Sequence, residues 1–470
     1  MKNILNSLKS GDWLSLLACF LYFDTGFTVW VMLGPLAPFI SKSIKMTPVE
    51  QGFLVAVPVL AAAILRVTLG NLFQSVDGRK IALMGIFLSA IPSAVLLVMP
   101  GEPTYLMLLI LGVFLGMGGA SFAVALPMAG STYPPKVQGL VLGLAAAGNI
   151  GAVIDGFLFP TLATRFGWQS ATTAALPLLA LTALAVFFWA KDSSPKSGSF
   201  VPAFIGFLVT LVGLIGLVLL VHAGILGQGK TGLLLLPFLG ALIAIAVLPE
   251  RYRAVLKERD TWVVMLVYSI TFGGFVGMSS YVSLLLTTLY QLSKVDAGLL
   301  MAALAFTGAM VRPVGGLIAD KVTGVRALLF LLAGISILDF TFAATMPPLA
   351  GGIALLFAMY ACFGLGNGAT FQLVPQRWKG RMGVMTGIVG AAGGIGGFYL
   401  PVVMSMARES TGSYQMGFVT FGCFAALAFG LVVALRSKWM VWAMADHAET
   451  MPAAMSRGAA PGMSPAQAMK

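Results

Sequence analysis

The chain has 470 residues, of which 59% are apolar and only 9% charged, whereas soluble domains average about 45 to 50% apolar and about 25% charged residues. With a mean hydropathy of +0.96, these proportions exclude a soluble globular protein and predict a polytopic membrane protein, because so few charges cannot cover a surface of this size. The 28 basic and 16 acidic residues give a net charge of +12, but the basic residues lie in short gaps between apolar segments, which indicates membrane topology and not nucleic-acid binding.

Apolar segments long enough to cross a bilayer follow one another along the chain. Charged, glycine, proline and polar breaks divide the sequence into fourteen predicted transmembrane helices, which makes the fold all-α. The first helix, opening at Trp13, is too long for a signal peptide and has no small-residue cleavage site. The predicted helices are 13–40, 50–74, 81–99, 104–128, 138–161, 170–190, 200–226, 231–249, 261–290, 296–319, 327–346, 350–375, 383–407 and 414–437.

The basic residues are unevenly divided between the two sides of the membrane. If the amino terminus is cytoplasmic, 20 of the 28 Lys and Arg residues fall in cytoplasmic segments and six in outer loops, which is the bias that orients membrane proteins. Both termini are therefore predicted to be cytoplasmic, in a protein of the cell inner (cytoplasmic) membrane. Residues 441–470 lack hydrophobic periodicity and are predicted to form a disordered tail.

An internal repeat relates the two ends of the chain. Arg66 and Gly70 recur as Arg312 and Gly316, an offset of 246, and each pair precedes a basic loop. Two six-helix halves separated by a two-helix insert explain this offset, and parallel halves of this kind are the architecture of major facilitator transporters, whose substrate site lies between the halves at the midplane. The predicted divisions are 1–190 for the first half, 191–260 for the linker with two extra helices, 261–440 for the second half and 441–470 for the tail.

Arg66 and Arg312 lie inside predicted helices, seven or eight residues from the nearer end, or roughly 10 to 12 Å deep. An arginine at the bilayer centre costs on the order of 2.5 to 3.5 kcal/mol, so it indicates a functional site. For either arginine alone, a structural pair with a carboxylate or with helix carbonyls is an equal alternative. Two arginines at equivalent positions predict a central anion site, because facing guanidinium groups repel unless an anion bridges them.

Asp24, Asp155 and Asp339 are carboxylates inside predicted helices. Asp24 lies near the middle of the first helix and is the candidate for proton coupling, with a fixed pair or a helix-packing role as the alternative. Asp155 follows a glycine-rich stretch and is expected near the outer cavity. Asp339 is expected to be structural or close to an interface.

Glycine-rich runs occur in the fifth and thirteenth predicted helices. The first run contains Gly148 and Asn149, and the second contains Gly393 and Gly394. Such runs let membrane helices approach closely, and this packing role is one interpretation. The other is that bare backbone admits a small flat ligand while Asn149 donates amide hydrogen bonds, and the two interpretations are compatible.

Two loops are similar to the cytoplasmic loop motif of major facilitators, which is usually assigned to conformational gating. The first copy contains Asp77, Gly78 and Arg79, with Gln74 where the motif expects its first aspartate. The second and better copy contains the residues Asp320, Gly324 and Arg326.

Signatures of enzymes and metal centres are missing from the sequence. The two histidines, His222 and His447, lie near an outer loop and in the tail, so they predict neither a catalytic triad nor a zinc site. The three cysteines lie in apolar segments without C-x-x-C spacing. We therefore expect no enzymatic activity, no cofactor and no metal ion.

The sequence resembles the nitrate/nitrite porter family of the major facilitator superfamily, over most of residues 15–190 and 260–435. The paired arginines and the two glycine-rich runs carry the resemblance, together with Gly119–Ala123, Phe166–Trp168 and Tyr268–Phe275. The resemblance implies that Arg66 and Arg312 clamp the anion. It also implies that Asn149 and Tyr268 hydrogen-bond the anion and that Phe122 and Phe272 sandwich its plane. The two-helix insert departs from the twelve helices usual in the family.

These observations predict a secondary transporter of nitrate, with nitrite as counter-substrate or protons as the coupling ion, acting as a monomer in the lipid bilayer. Nitrate is planar and weakly hydrated, so it suits guanidinium groups and aromatic walls. A transporter of another small organic anion, such as a monocarboxylate, is the alternative within this class. A sensor that binds the anion without transport is the alternative from another class, and the short tail is a weak output domain.

Overall fold

The computed structural model describes residues 9–134, 137–226, 231–378 and 381–450. In these residues, thirteen helices are long and apolar enough to cross a membrane, and one shorter apolar helix makes fourteen. The predicted all-α fold with a two-helix insert is confirmed. The helices are α1 Trp13–Ser43, α2 Pro48–Phe73, α3 Gly78–Val98, α4 Tyr105–Ser131, α5 Val141–Phe166, α6 Trp168–Trp189, α7 Phe200–His222, α8 Thr231–Val247, α9 Arg259–Leu289, α10 Lys294–Val322, α11 Gly324–Thr345, α12 Leu349–Arg377, α13 Met382–Thr411 and α14 Gln415–Thr450.

Polar side chains in the loops begin several of these helices by satisfying amides that have no partner within the helix. Asp12 accepts a hydrogen bond from the Ser15 amide at the start of α1. Thr47 and Glu50 form a capping box at the start of α2, where Pro48 occupies the first turn. The helix boundaries therefore follow from the local sequence.

Helices α1–α6 and α9–α14 form two halves that meet along α2 with α13 and along α5 with α10. We call the end of the bundle that carries the α2–α3 and α10–α11 loops the basic end. At the opposite end the halves are in tight contact. The Val49 amide donates to Glu409 at 3.0 Å, and a Cβ atom on Gly156 would lie 2.7 Å from the Ala302 amide nitrogen. The bundle is therefore closed at this end.

The insert, α7 and α8, packs on the outside of the twelve other helices. Helix α8 contacts both halves: a Cβ atom on Gly240 would lie 3.3 Å from the Ile64 side chain on α2, and the Tyr399 hydroxyl on α13 donates to the Leu234 carbonyl at 2.7 Å. The outward side chains, such as Val212 and Phe238, are apolar and exposed, as expected for helices that face lipid. Residues 228–231 are expected from the sequence to lie at the outer face, and 228–230 are outside the described residues.

Two helical segments extend beyond the predicted boundaries. A short helix, Glu250–Leu256, connects the insert to the second half. Helix α14 continues past residue 440 to Thr450, where the indole of buried Trp439 stacks on Trp442 at 5.6 Å. Residues 441–450, the first ten of the predicted tail, are therefore helical. Residues 451–470 of the predicted tail lie outside the described residues.

Candidate functional site

A cavity of about 1140 Å³ lies between the two halves and opens at the basic end. Both halves contribute to its lining, Arg66 and Phe122 from the first, and Arg312, Asn367 and Phe371 from the second. Because the opposite end of the bundle is closed, the two arginines lie at the deep end of a pathway that leads to one side of the membrane.

Arg66 is 1% exposed and is held by both halves of the protein. Its Nη1 donates to the Gly390 carbonyl on α13 at 2.8 Å, and its Nη2 donates to the Gly119 carbonyl on α4 at 2.9 Å. Its Nε has no hydrogen-bond partner among the described residues. The helix-carbonyl interpretation of this arginine therefore holds in this conformation, and one donor stays free for a ligand.

Aromatic rings surround the Arg66 guanidinium group. Its Cζ lies 4.9 Å from the centroid of Phe122, 5.6 Å from that of Trp30 and 5.7 Å from that of Phe272. These distances are typical of cation–π contacts, which become stronger where water is excluded. The rings hold the charge in place without neutralising it.

Arg312 and Tyr268 complete the deep end of the cavity. Arg312 interacts electrostatically with Arg66, and its Nη1 is buried without a hydrogen-bond partner within the described ranges. Tyr268 is fully buried and interacts with both guanidinium groups. Its ring stacks on Phe272 at 5.1 Å with an interplanar angle of 6°. The predicted clamp and its aromatic wall are thus brought together.

The charges that line the cavity favour an anion. Among the described lining residues, the only carboxylate is that of Asp320, an exposed residue of the second gating loop. Two like charges in a poorly solvated space repel, and a bound anion that accepts from both guanidinium groups removes this repulsion. The unpartnered donors, Nε of Arg66 and Nη1 of Arg312, are available to it.

Gly393 lies against the rings of this site, whereas the α5 residues that line the cavity include Ala146 and Ala147 but not the predicted Gly148 and Asn149. A Cβ atom on Gly393 would lie 2.7 Å from the Tyr268 ring and 2.8 Å from the Phe272 ring, and one on Gly394 would lie 2.6 Å from Ala63. Asn149 is 2% exposed, and its Oδ1 has no partner within the described ranges. In this conformation Gly393 and Gly394 position the aromatic wall and α2.

Helix α5 changes its winding at the predicted anion-binding residue. The segment Ala147–Ile150, which contains Gly148 and Asn149, is a 3₁₀ turn within the α-helix. A Cβ atom on Gly148 would lie 2.8 Å from the Asp24 amide nitrogen. Mid-helix 3₁₀ turns mark hinges or strain. This turn carries Asn149 and packs against the backbone of Asp24.

In the first gating loop, Asp77 and Gly78 begin α3, and Arg79 is exposed. The Asp77 side chain accepts from the Arg79 amide at 2.8 Å, and the Gly78 amide donates to Asp192 at 2.7 Å. Asp192, from the α6–α7 linker, thus supplies a carboxylate to the loop in which Gln74 replaces the expected aspartate.

Asp192 is also paired with Lys196 in a short contact, and Lys196 donates to the Phe73 carbonyl at 2.9 Å. Burial of Asp192 opposes its ionisation, but hydrogen bonds from Lys196, Ser194 and the Gly78 amide outweigh burial and lower its pKa. The carboxylate therefore stays charged and fastens the linker to the first gating loop.

The second gating loop repeats this arrangement with an amide in place of the carboxylate. The Gly324 amide donates to Oε1 of Gln372 at 2.7 Å, and Gln372 also donates to Asp320 at 3.4 Å. Arg326 is exposed in the first turn of α11, where its amide donates to Thr323. Each copy of the motif is thus held by a side chain from outside the loop, Asp192 from the linker in the first copy and Gln372 from α12 in the second.

Several residues of the site had no distinguishing signal in the sequence. Phe371 stands edge-on to Tyr268 at 5.0 Å, and Trp30 adjoins Arg66. Asn367 is 1% exposed and lines the cavity, and its Oδ1 is unpartnered in the described part of the chain. Tyr252 of the connecting helix also lines the cavity, and burial raises its pKa to about 12. No three His, Cys, Asp or Glu side chains of the described residues are arranged to hold a metal ion.

The sequence of this chain is similar to those of known transport proteins. A family model described as Major Facilitator Superfamily matches residues 14–401. The Nitrite extrusion protein of Bacillus subtilis (strain 168) is 29% identical over 428 residues, which cover 90% of this chain and 94% of that protein. The Probable nitrate/nitrite transporter NarK2 of Mycobacterium tuberculosis is 30% identical over 387 residues, which cover 82% of this chain and 86% of that protein.

Solved structures share the fold at lower identity. The xylose transporter XylE from E. coli, in a partially occluded inward-open conformation, has a TM-score of 0.60 and 16% identity, covering 89% of this chain and 97% of that chain. A bacterial homologue of the human lysosomal transporter Spinster, in an inward-facing and occupied conformation, has a TM-score of 0.63 and 16% identity, covering 91% and 97%. These two likenesses show the fold alone.

Proposed function

Because this chain belongs to the major facilitator superfamily, and within it to the nitrate/nitrite porter family, we propose that it moves nitrate and nitrite across the membrane by alternating access. The observation that carries this proposal is the convergence of Arg66 and Arg312, one from each half, on a single cavity. Each retains a buried donor without a partner among the described residues. The protein is a transporter and catalyses no chemical step.

The anion binds between the two guanidinium groups. Nε of Arg66 and Nη1 of Arg312 donate to its oxygens, and Tyr268 and Asn149 add neutral hydrogen bonds. Phe122 and Phe272 lie on either side of the planar ion. Gly148, Gly393 and Gly394 allow α1, α2 and α9 to come close enough to form this site. A planar, weakly hydrated anion fits these groups better than a tightly hydrated one.

The cavity opens at the basic end, which is the cytoplasmic side by the distribution of Lys and Arg residues. The structure is therefore inward-facing, with both termini in the cytoplasm of a cell whose inner membrane holds the protein as a monomer. The first half spans 1–190, the linker 191–260 and the second half 261–440. Closure at the basic end then involves the two gating loops, with Asp77, Gly78 and Arg79 in one and Asp320, Gly324 and Arg326 in the other.

Two transport modes are compatible with this site. An empty site with two cations is reluctant to cross the membrane, which favours exchange of nitrate for nitrite. Protonation of Asp24 offers a second mode, in which a proton travels with nitrate. Asp24 is 8% exposed, and its Oδ1 has no partner in the described residues.

Uptake of labelled nitrate by proteoliposomes, with and without nitrite inside, tests the proposal. Saturable uptake that internal nitrite accelerates is the expected result. Excess external acetate or lactate should compete poorly, because a carboxylate is more strongly hydrated than nitrate or nitrite and carries an alkyl group that neither of these anions has. Uptake no faster than in protein-free liposomes in both conditions would contradict the proposal, and strong competition by monocarboxylates would favour the alternative substrate class.

A further inference from the structure

A second cavity lies between the two halves at the closed end of the bundle. Its volume is about 630 Å³, and its walls include Phe39 and Lys42 from α1, Thr164 from α5 and Lys294 from α10. We call it the outer recess. Lys42 and Thr164 are exposed and Lys294 is half-buried, so the recess is open to water. It is separate from the central cavity, because no described residue lines both.

Two lysines, one from each half, line the outer recess. Nζ of Lys294 lies 4.4 Å from the centroid of the Phe39 ring, which is a cation–π distance. Phe39 precedes Lys42 by three residues on α1, so the two side chains project from the same face of that helix. Lys42 and Lys294 therefore place their charges in one space, and the two ammonium groups interact electrostatically.

No carboxylate among the described residues balances these two charges. None lines the outer recess, and neither lysine forms an ion pair within the described ranges. The acidic residue nearest to Lys294 in the sequence is Asp296, whose side chain instead accepts a hydrogen bond from the Ser293 hydroxyl at 2.6 Å. Two cations without a counter-charge at a closed interface repel each other.

Local structure explains one of these lysines but not the other. Lys42 lies in the last turn of α1, where the negative end of the helix dipole favours a cation. Lys294 is the first residue of α10, where the positive end of the dipole disfavours one. Membrane topology does not explain the pair either, because only six of the 28 basic residues are expected in outer loops. The meeting of two of these six across the interface indicates a ligand of opposite charge.

We propose that the outer recess is a second anion-binding site, in which a small inorganic anion such as nitrate lies between Lys42 and Lys294 and bridges the two halves. The choice of nitrate rests on the proposed function, whereas the site itself does not. Opening of the outer end separates the two lysines, because they belong to different halves. An anion that bridges them therefore binds the closed outer end better than the open one and favours the inward-facing state.

The outer recess holds its anion mainly by charge. Lysine offers a compact, hydrated ammonium group and lacks the planar fork of donors that arginine has. The Ser43 hydroxyl, also on the wall, accepts from Trp168 Nε1 at 3.2 Å, and its own hydrogen is available to an anion. Such a site binds small anions with little selection among them, whereas the arginines of the central cavity suit a planar ion.

Charge-selective labelling on the wall of the recess tests this site. In a Cys423→Ser background, Thr164→Cys introduces the thiol, and it breaks no contact between helices because Thr164 donates to the Pro160 carbonyl of its own helix. The full-length protein in phosphatidylcholine nanodiscs is treated with an anionic or a cationic methanethiosulfonate reagent. Lys42→Gln or Lys294→Gln should lower the ratio of the anionic to the cationic rate by about three- to tenfold, whereas Lys294→Arg should keep it.

Nitrate protection identifies the ligand. Nitrate replaces gluconate at constant ionic strength, so that screening of the charges does not change. It should slow the anionic reagent in a saturable manner, and either lysine-to-glutamine change should remove most of this protection, because the anion bridges both. Protection should persist in Arg66→Lys, which alters only the proposed central site. Lys45→Gln is the matched control: Lys45 is exposed at the same end but does not line the recess, so the variant should behave like its parent.

Four results would overturn the outer site while nitrate transport stands. They are a rate ratio that neither lysine variant changes, an equal change in Lys45→Gln, no protection by nitrate, and protection that disappears in Arg66→Lys. Slowing by added phosphatidylglycerol but not by nitrate would assign the recess to lipid headgroups and would overturn the proposal as well. Absence of nitrate/nitrite exchange by the wild type in proteoliposomes contradicts the proposed function, and the labelling decides the outer site independently of it.

Discussion

Arg66 on α2 and Gly390 on α13 are joined by a hydrogen bond of 2.8 Å between the guanidinium Nη1 and the backbone carbonyl oxygen. This bond connects the first half of the protein to the second through a residue proposed to bind the substrate. The proposed anion accepts from Nε of the same guanidinium group, which the bond to Gly390 leaves free. The bond is therefore expected to persist while the anion binds and to hold the guanidinium plane in the orientation that presents Nε to it.

Replacing either arginine by lysine should cripple transport although the charge is kept. Lysine offers a hydrated ammonium group on a flexible chain and lacks a planar set of donors. It cannot donate to the Gly119 and Gly390 carbonyls as Arg66 does and still present a donor like Nε to the anion. We expect Arg66→Lys and Arg312→Lys to lower nitrate uptake by at least about tenfold at subsaturating nitrate. Near-normal initial rates of uptake in both variants would refute the clamp.

Replacement by alanine should impair transport at one glycine of α13 and leave it unchanged at another. A Cβ atom on Gly393 would lie 2.7 Å from the Tyr268 ring, so Gly393→Ala should displace the aromatic wall and raise the KM for nitrate. A Cβ atom on Gly387 meets nothing within 4 Å, so Gly387→Ala should transport like the wild type. Steady-state uptake kinetics measure the KM of the two variants. Equal KM values would show that the contact of Gly393 with Tyr268 does not determine nitrate affinity.

The sequence predicted the span count, the repeat and the two arginines because each depends on a signal that is rare in its surroundings. An arginine within an apolar helix is such a signal. Phe371 and Trp30 had none, since the chain contains 32 Phe and 8 Trp residues and only the packing shows which rings meet Arg66 or Tyr268. Asn367 was missed for a similar reason: a single amide in a helix is ordinary until its position on the cavity wall is known.

Asp192 shows why contacts between residues far apart in the sequence could not be predicted from a local motif. The loop motif predicted a gating loop around Gly78, with Gln74 in place of its first aspartate, but the carboxylate that contacts Gly78 comes from more than a hundred residues later in the chain. Local spacing carries no information about such a contact. The 3₁₀ turn Ala147–Ile150 was not predicted from the sequence, because a glycine run that allows close helix packing can equally form a regular α-helix.

Labelling tests the predicted sidedness of the insert. Ile225, at the end of α7, is 69% exposed, and in a Cys423→Ser background Ile225→Cys should react with an impermeant maleimide added to intact cells. Lys80→Cys, at the basic end, should react only after the cells are permeabilised. These results follow from the bias of basic residues toward the cytoplasm. Labelling of Ile225→Cys from the cytoplasmic side alone would contradict the predicted topology.

Two lysines of the α6–α7 linker allow a buried ion pair to be compared with an exposed one. Lys196 pairs with Asp192, whose side chain is 0% exposed, and its Nζ lies 3.9 Å from the centroid of the Phe73 ring. Lys191 pairs with Asp12 at 2.7 Å but is 68% exposed. Lys196→Ala leaves a buried carboxylate without its partner, so we expect it to lower the free energy of unfolding by about 2 to 4 kcal/mol. Lys191→Ala should cost less than about 1 kcal/mol.

The pH dependence of the Lys196→Ala deficit distinguishes a charge effect from lost packing. In the wild type the pKa of Asp192 is lowered, so its contribution to stability is present above the unfolded-state value of about 3.9 and is lost as the pH falls through the lowered folded-state pKa. Without Lys196, burial opposes ionisation with less compensation, and the penalty disappears once Asp192 is protonated. Thermal unfolding of the two proteins in detergent should therefore differ most near neutral pH and converge in acid. A deficit that stays constant with pH would assign the loss to the contact between Lys196 and Phe73.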